Sequence, residues 1–461
     1  MMLHKYLAPL LLCLFAACVS LVPILHSVYS GSDFFYGESQ YNLRLSKLNP
    51  FEGFVNTDNL SIDNSRMAYG VYHAIIHYLS KLLPDVLSIV LFGLVTGMAT
   101  ILLFYFALRG LGISIDRSFF ACIIILFSPA FIEMFGTTNP AGFGVMSSLL
   151  GFMVYQFRKD FLGRFFAFIF FLLSALNGPI HAFGALVLLG IATLVERKSI
   201  GIALLGLYSF LVALIISFGT FSYWSSDPAS FPFGLFSDLG FSSGIGIFFA
   251  LTAIVGIYVL WKRKKEYWFV YASSFLLLIL VFFVSKDAIY YLIFSISIFS
   301  SAAIFRFIEG EWEISSLKNI LLLVVFCGFI FSFISYVSSV SGRTYDSELV
   351  DSLRWLRTAP QGAVLTAPDY GYLVQSYSEK QPLLIPKNKN LSIFFERNPK
   401  KAFDRIQSVG GKYIVIDNFM RSGLVWQRNE QGLLFALRDK EHFRLIYLKD
   451  NVGIWSLSDA G

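Results

Sequence analysis

Apolar runs long enough to cross a bilayer recur from Tyr6 to Ser339. They leave little choice but a helical membrane protein. Their approximate extents are 6–28, 86–108, 118–134, 141–157, 165–177, 181–195, 200–219, 243–261, 267–285, 287–306 and 318–339. A hydrocarbon core about 30 Å thick needs about 20 apolar residues per helix, so the spacing predicts about eleven crossings. The fifth run is short. Asn177-Gly178-Pro179 after it reads either as a turn between two crossings or as a kink in one broken helix. Composition agrees, with 56% hydrophobic and only 14% charged residues, against about 25% charged in a soluble domain.

The basic residues give an orientation. Alternate connections hold Arg109 and Arg117, then Arg158, Lys159 and Arg164, then Arg197 and Lys198, then Lys262–Lys265, then Arg306 and Lys318. Segments 135–140, 177–180 and 221–242 hold no Lys or Arg, and Lys286 alone breaks the pattern. Basic connections stay on the cytoplasmic side, so the N-terminus is expected inside and the C-terminal segment outside an integral cell-membrane protein. The net charge of +6 is thereby read as an orientation signal, and a nucleic-acid partner is not expected. Cys13, Cys18, Cys122 and Cys327 all lie within apolar runs. They read as small core residues, with no disulfide framework or zinc site. The first run, about 22 residues, exceeds a typical signal-peptide core and reads as a retained anchor.

Two domains are expected: a membrane domain over 1–340, with a long first external loop at 30–69, and an external α/β domain over 341–461. The second holds 17 of the 36 Lys and Arg, 13 of the 30 Asp and Glu, and no spanning apolar run. Leu349, Val350, Leu353 and Leu356 mark one face of a helix over Ser347–Thr358. Strands are expected at Gly362–Thr366 and Tyr413–Asp417, a turn at Ala367–Gly371, and helices at Tyr372–Ser378 and Lys401–Val409. A hairpin, Phe443–Leu448 with Val452–Leu457, closes the chain across Lys449-Asp450-Asn451.

The polar residues of the membrane part are few. The first loop carries Asp33, Glu38, Glu52, Asp58 and Asp63, and Glu133 falls at the end of the third run. Segment 220–242, with Trp224, Asp227 and Asp238, reads equally as a cover over a site at the membrane surface or as an ordinary connection. His73 and His77 have helical metal-binding spacing but lack the Glu of the protease motif, so buried or interfacial histidines are the better reading. His181, beside Gly178-Pro179, is a polar group without an assigned role.

Gly37-Glu38-Ser39-Gln40-Tyr41-Asn42-Leu43-Arg44 resembles the first-loop motif of oligosaccharyltransferase catalytic subunits, Gly-Asp-Pro-Trp-Tyr-His-Leu-Arg. Trp355-Leu356-Arg357, a strand, and then Asp369-Tyr370-Gly371-Tyr372 resemble that family's Trp-Trp-Asp-Tyr-Gly signature, with Ala367 and Pro368 in place of the two tryptophans. The general plan is similar to that of GT-C glycosyltransferases. The family's second acidic motif has no counterpart in Gly136–Gly144, and Glu133 is the nearest carboxylate.

The resemblance implies a membrane glycosyltransferase that moves a sugar or oligosaccharide from a polyprenyl-phosphate-linked donor to an external acceptor protein or glycan. It implies Glu38 as catalytic residue and, with Glu133, as ligand of a divalent metal such as Mg or Mn. It implies Arg44 as the donor-phosphate contact, and Asp369 and Tyr370 as acceptor-binding residues. The alternative is a non-catalytic relative, or a transporter or assembly protein of the same architecture. Against a transporter, the runs hold few ionisable residues and no duplicated halves.

Overall fold

The computed structural model describes residues 2–30, 38–55, 58–60, 69–196, 204–212, 235–239, 244–341, 347–385, 391–418, 420–421 and 432–458. The chain forms two compact units, one of residues 1–29 and 68–343, the other of residues 30–67 and 344–461. The first loop thus belongs with the C-terminal segment, not with the helices that flank it in sequence.

The membrane unit is built of α1 (Met2–Ser30), α4 (Val71–Leu79), α5 (Asp85–Gly110), α6 (Ile115–Leu126), α7 (Pro129–Gly136), α8 (Pro140–Phe157), α9 (Phe161–Ala175), α10 (Pro179–Glu196), α11 (204–212), α12 (Ile247–Trp261), α13 (Trp268–Phe283), α14 (Ile289–Glu309) and α15 (Ser315–Ser341). Helices α2 (Glu38–Lys47) and α3 (Pro50–Val55) lie in the other unit. Among the described residues four helical spans are long and apolar enough to cross a membrane: Leu7–Leu25, Asp85–Gly110, Lys286–Glu309 and Ser315–Ser339. The bent pair α6–α7 makes up to five. The shorter apolar helices α9, α10, α12 and α13 fall on four further expected runs. Length and hydropathy thus establish four or five spans of the eleven expected, in an integral membrane protein.

Two local readings are resolved. The run 118–134, expected as one crossing, is bent: α6 and α7 meet at 71°. Pro129 opens α7; it has no N–H to continue the α6 ladder and suits a helix's first position. At Asn177-Gly178-Pro179 the chain makes a turn between separate helices, because α9 and α10 pack on each other. Gly178 has φ +141°, a conformation that favours glycine. Asn177 fixes the turn, donating from Nδ2 to the Leu173 carbonyl (2.7 Å) and accepting from Tyr72 N–H (3.1 Å).

Hydroxyls and a glycine join α12 to α14. Thr252 Oγ1 donates to Ser300 Oγ at 3.0 Å, and Ser300 Oγ donates to the Phe249 carbonyl at 3.2 Å. A Cβ on Gly256 would stand 1.8 Å from the Phe299 carbonyl oxygen. In an apolar solvent this close approach supplies packing where the hydrophobic effect does not.

The second unit is a three-layer α/β/α domain. Its sheet has the order β1-β2-β4-β3, with β1 (Ala363–Leu365), β2 (Gly411–Ile416), β3 (Phe443–Lys449) and β4 (Val452–Leu457). β1 and β2 are parallel, and the other pairs antiparallel. Alternate residues of β2 serve opposite cores. Tyr413 and Val415 pack with Leu349, Val350, Leu353 and Leu356 of α16 (Ser347–Arg357). Ile414 and Ile416 pack with Ala402, Phe403 and Ile406 of α18 (Pro399–Ser408) and Leu433 of α19 (Gly432–Ala436). The helix, strands and hairpin expected here are all present. Between β1 and α18 lies α17 (Gly371–Leu373), which continues as a wider turn through Ser378.

Because the obstacle at Gly256 is backbone, no rotamer change relieves it. Gly256→Ala is expected to cost about 1–3 kcal/mol, as overpacking does, and to lower the melting temperature of the detergent-solubilised protein; an unchanged melting curve would show that α12 and α14 separate freely.

Candidate functional site

Both motifs singled out by sequence lie in the second unit, and the structure brings them together. Glu38 opens α2, and its side chain lies outside the described residues. An acid at the first position and Arg44 and Lys47 in the last turn both suit the helix dipole. Tyr41 and Leu45, four apart on one face, are buried. The Tyr41 ring lies 5.4 Å from that of Tyr372 on α17. Gln40 Nε2 donates to Tyr377 Oη at 3.2 Å, and Ser376 Oγ donates to the Gln40 carbonyl at 3.1 Å. Gln375 Nε2 donates to the Leu60 carbonyl at 2.8 Å. The first-loop helix therefore rests on the segment that directly follows Asp369-Tyr370-Gly371.

Arg44 does not present an empty fork. Its two terminal nitrogens hold both carboxylate oxygens of the buried Asp58, Nη1 to Oδ1 at 3.0 Å and Nη2 to Oδ2 closer still. The guanidinium also lies 5.2 Å from the Tyr41 ring centre. Arg44 Nε is buried with no hydrogen-bond partner among the described residues. The Arg44 signal was legible in sequence; its partner, 14 residues on, was not.

Asp369 and Tyr370 sit in a short 3₁₀ turn, Pro368–Tyr370, just beyond β1. Asp369 is exposed and Tyr370 half-buried. Tyr370 Oη donates to Asp417 Oδ2 at 2.6 Å, while Asp417 Oδ1 accepts from Met420 N–H at 2.8 Å. Thr366 Oγ1 lies 3.7 Å from Met420 Sδ. Thr366 follows β1 and Asp417 follows β2, so these groups gather at the carboxyl ends of the two parallel strands, where α/β sheets offer their ligand crevices. Asp417 and Met420 were not foreseen as site residues. The available signal was an acid at the end of a strand paired in parallel with the one before Asp369. Ala367 and Pro368, which stand where the motif has tryptophans, are buried. Gly371 is required here: a Cβ would meet the Leu384 carbonyl oxygen at 2.5 Å.

Glu133 belongs to the membrane unit, half-buried on α7. It and Asp287 are both within electrostatic reach of the Tyr290 hydroxyl, to which Asn139 Nδ2 donates at 3.1 Å. Asp287 was overlooked beside the conspicuous Lys286. Among the described residues, one group of three possible metal ligands has converging atoms, Asp439, Glu441 and His442. It is a self-satisfied turn: Asp439 accepts from Glu441 N–H at 2.9 Å and pairs with His442 Nδ1 at 2.8 Å.

The histidines have structural surroundings. His73 is buried beside the rings of Tyr69 and Tyr72, and its Nδ1 accepts the Gly70 N–H at 3.0 Å. His181 Nδ1 lies 3.2 Å from Tyr291 Oη, which reaches Ser148 Oγ at 3.1 Å; Ser148 in turn meets Ser174 Oγ at 2.6 Å. This buried chain ties α8, α9, α10 and α14 together.

Two outcomes follow. Asp58→Asn removes the charge that Arg44 is buried against, so about 3 kcal/mol of stability is expected to be lost; a denaturant titration matching the unaltered protein would mean that Arg44 finds another anion. Burial holds the pKa of His73 down at about 3, against 6.5 for a free histidine. The unfolded chain therefore binds the extra proton first, and stability falls as pH drops from 6.5 toward 3. His73→Gln should flatten the part of that fall above the carboxylate range, read as melting temperature against pH.

No family model matches the sequence, and no curated protein matches it. Solved structures do. The Archaeoglobus fulgidus oligosaccharyltransferase, tethered to an acceptor peptide containing the NVT sequon, superposes with a TM-score of 0.62 at 13% identity, over 100% of this chain and 75% of that one. The archaeal oligosaccharyltransferase AglB from the same organism, in complex with an inhibitory peptide and a dolichol-phosphate, gives 0.63 at 12%, over 99% and 74%. ArnT from Cupriavidus metallidurans, bound to undecaprenyl phosphate, gives 0.56 at 13%, over 97% and 98%. The likeness extends along the whole chain, and at these identities it is a likeness of fold: the protein has the GT-C fold of these membrane glycosyltransferases.

Proposed function

We propose that the protein is a membrane glycosyltransferase that transfers a sugar or oligosaccharide from a polyprenyl-phosphate-linked donor to an acceptor on the external face. The observation that carries this reading is the seating of the Glu38 helix on the segment after Asp369-Tyr370-Gly371. Two motifs more than 300 residues apart in sequence are held in one unit by Tyr41–Tyr372 and Gln40–Tyr377. The dolichol- and undecaprenyl-phosphate complexes of proteins with this fold support the donor class.

Each residue has a proposed task. Glu38, at the start of α2, takes the acceptor proton or serves as an anionic ligand. Tyr370, held by Asp417, shapes the acceptor pocket, and the exposed Asp369 accepts a hydrogen bond from the acceptor. Arg44 reaches the donor phosphate through N–H groups that the bidentate pair with Asp58 leaves unused, among them the buried Nε–H. In the membrane unit, the carboxylates Glu133 and Asp287, both within electrostatic reach of Tyr290, suit a hard cation such as Mg or Mn, which needs few protein carboxylates when phosphate and water complete its shell. Such an ion, when bound, would supply positive charge to a phosphate oxygen. The N-terminus is proposed to be cytoplasmic and the second unit external, as the basic connections indicate.

One specific observation favours the alternative, a non-catalytic relative: Gly136–Gly144 carries no acid. A single comparison separates the two. Glu38→Gln keeps the side-chain shape and removes the charge, so turnover of a polyprenyl-diphosphate-linked sugar is expected to fall at least about 100-fold, the order of one lost general base, with an unchanged melting temperature. Turnover by the variant at the unaltered rate would remove Glu38 from the mechanism, and no turnover by either protein would favour the non-catalytic relative.

A further inference from the structure

The turn between α12 and α13 is the most strongly cationic of the described connections. Lys262, Arg263, Lys264 and Lys265 follow one another, with Glu266 the single acid, and all five are exposed. Other basic connections are offset. Arg117 stands 3.8 Å from Glu309, Glu311 and Glu313 follow in the same turn, and Arg164 is buried. The cationic turn is also ordered by its backbone. Lys264 N–H donates to the Trp261 carbonyl at 3.2 Å, and both Glu266 and Tyr267 N–H donate to the Arg263 carbonyl.

This order places aromatic rings beside the cations. Trp261, Lys264, Lys265, Trp268, Tyr271 and Ala272 line one shallow hollow. Lys264 Nζ lies 4.9 Å from the Trp261 ring centre. Trp261 meets Tyr271 edge to face at 5.7 Å, and Tyr271 Oη is fixed on the Ile257 carbonyl at 2.8 Å. α13 packs inward through Phe269 and Val270, which leaves Trp268 outward. Apolar residues run on from the hollow along both helices: Ile254 and Tyr258 on α12 and Phe275 on α13 are each more than 60% exposed. Indole rings favour the depth of lipid headgroups, and lysines there attract anionic lipid.

We propose that this hollow binds the phosphate headgroup of an anionic phospholipid, between Lys264 and Lys265 and against Trp261 and Trp268, with its acyl chains on the outer faces of α12 and α13. The four cations supply the charge complement, and the apolar stripes select a lipid over a soluble phosphate, which would leave them uncovered. The inference is independent of the transfer chemistry and uses none of its residues.

The test uses the full chain in phosphatidylcholine nanodiscs containing a minor fraction of phosphatidylglycerol with brominated acyl chains, read by quenching of tryptophan fluorescence. Brominated phosphatidylglycerol is expected to quench more strongly than brominated phosphatidylcholine, and Trp261→Phe with Trp268→Phe should remove the difference. Each cation near the surface raises affinity about fivefold, so Lys264→Gln with Lys265→Gln should weaken binding about 25-fold. Raised salt should weaken it in the unaltered protein, a reading that needs no variant. Equal quenching by the two lipids, quenching indifferent to salt, or an unchanged affinity in the double lysine variant would each overturn the proposal. Displacement of the lipid by inorganic phosphate, at an ionic strength where chloride has no effect, would overturn it in favour of a soluble-anion site.

Discussion

The seating of α2 on α17 is the contact on which the placement of the first loop depends. A helix of ten residues does not hold together in water by itself. Here Tyr41 and Leu45 are buried, and Gln40 is bonded at both side chain and carbonyl. The bidentate Arg44–Asp58 pair then ties the helix to the rest of the first loop. These contacts do for a short, polar helix what intrinsic propensity cannot. They also hold the backbone two and three residues beyond Glu38. The carboxyl ends of β1 and β2 carry a second set of fixed groups, in which Tyr370, Asp417 and Met420 hold one another.

The membrane unit solves a different problem. Its solvent is apolar, so burying hydrocarbon brings little, and helices are joined by close approach and by polar pairs. Gly256 lets α12 lie against the Phe299 backbone, and Gly184 makes room for the Tyr291 ring, which a Cβ would meet at 2.3 Å. Tyr291 then bonds Ser148 and His181. Polar side chains in this unit serve architecture first. Asn139 likewise caps α8 with its oxygen and bonds Tyr290 of α14 with its nitrogen.

Periodic features were legible in the sequence. The stripe Leu349, Val350, Leu353, Leu356 gave a helix, and Lys449-Asp450-Asn451 gave the closing hairpin, where Asp450 takes the left-handed conformation at φ 47°. Both signals are local, carried by side-chain spacing and by turn chemistry. The motif around Glu38 and the one at Asp369 were legible as resemblances, but not their contact, which has no local signature. For the same reason Asp58 was one loop acid among several until the fold set it against Arg44. The bend at Ser128–Pro129 was written in the sequence, yet hydrophobicity averaged over a run conceals one proline. Asp417 was hidden by its place, since the residue that ends a strand reads as punctuation rather than as the partner of a tyrosine hydroxyl.

The assignment of residues 30–67 to the same unit as residues 344–461 has a consequence for biosynthesis. The ribosome makes the loop well before its partner segment. At about 5–20 residues per second, the roughly 280 residues between Met67 and Thr344 take on the order of 15–55 seconds to appear. Throughout that interval Tyr41 lacks the Tyr372 ring and Gln40 lacks Ser376 and Tyr377, while Arg44 already has Asp58. A chain that terminates anywhere before Tyr372 has made the Glu38 segment without the residues that hold it. The seating thus waits on translation through Tyr377, however early the loop itself is made.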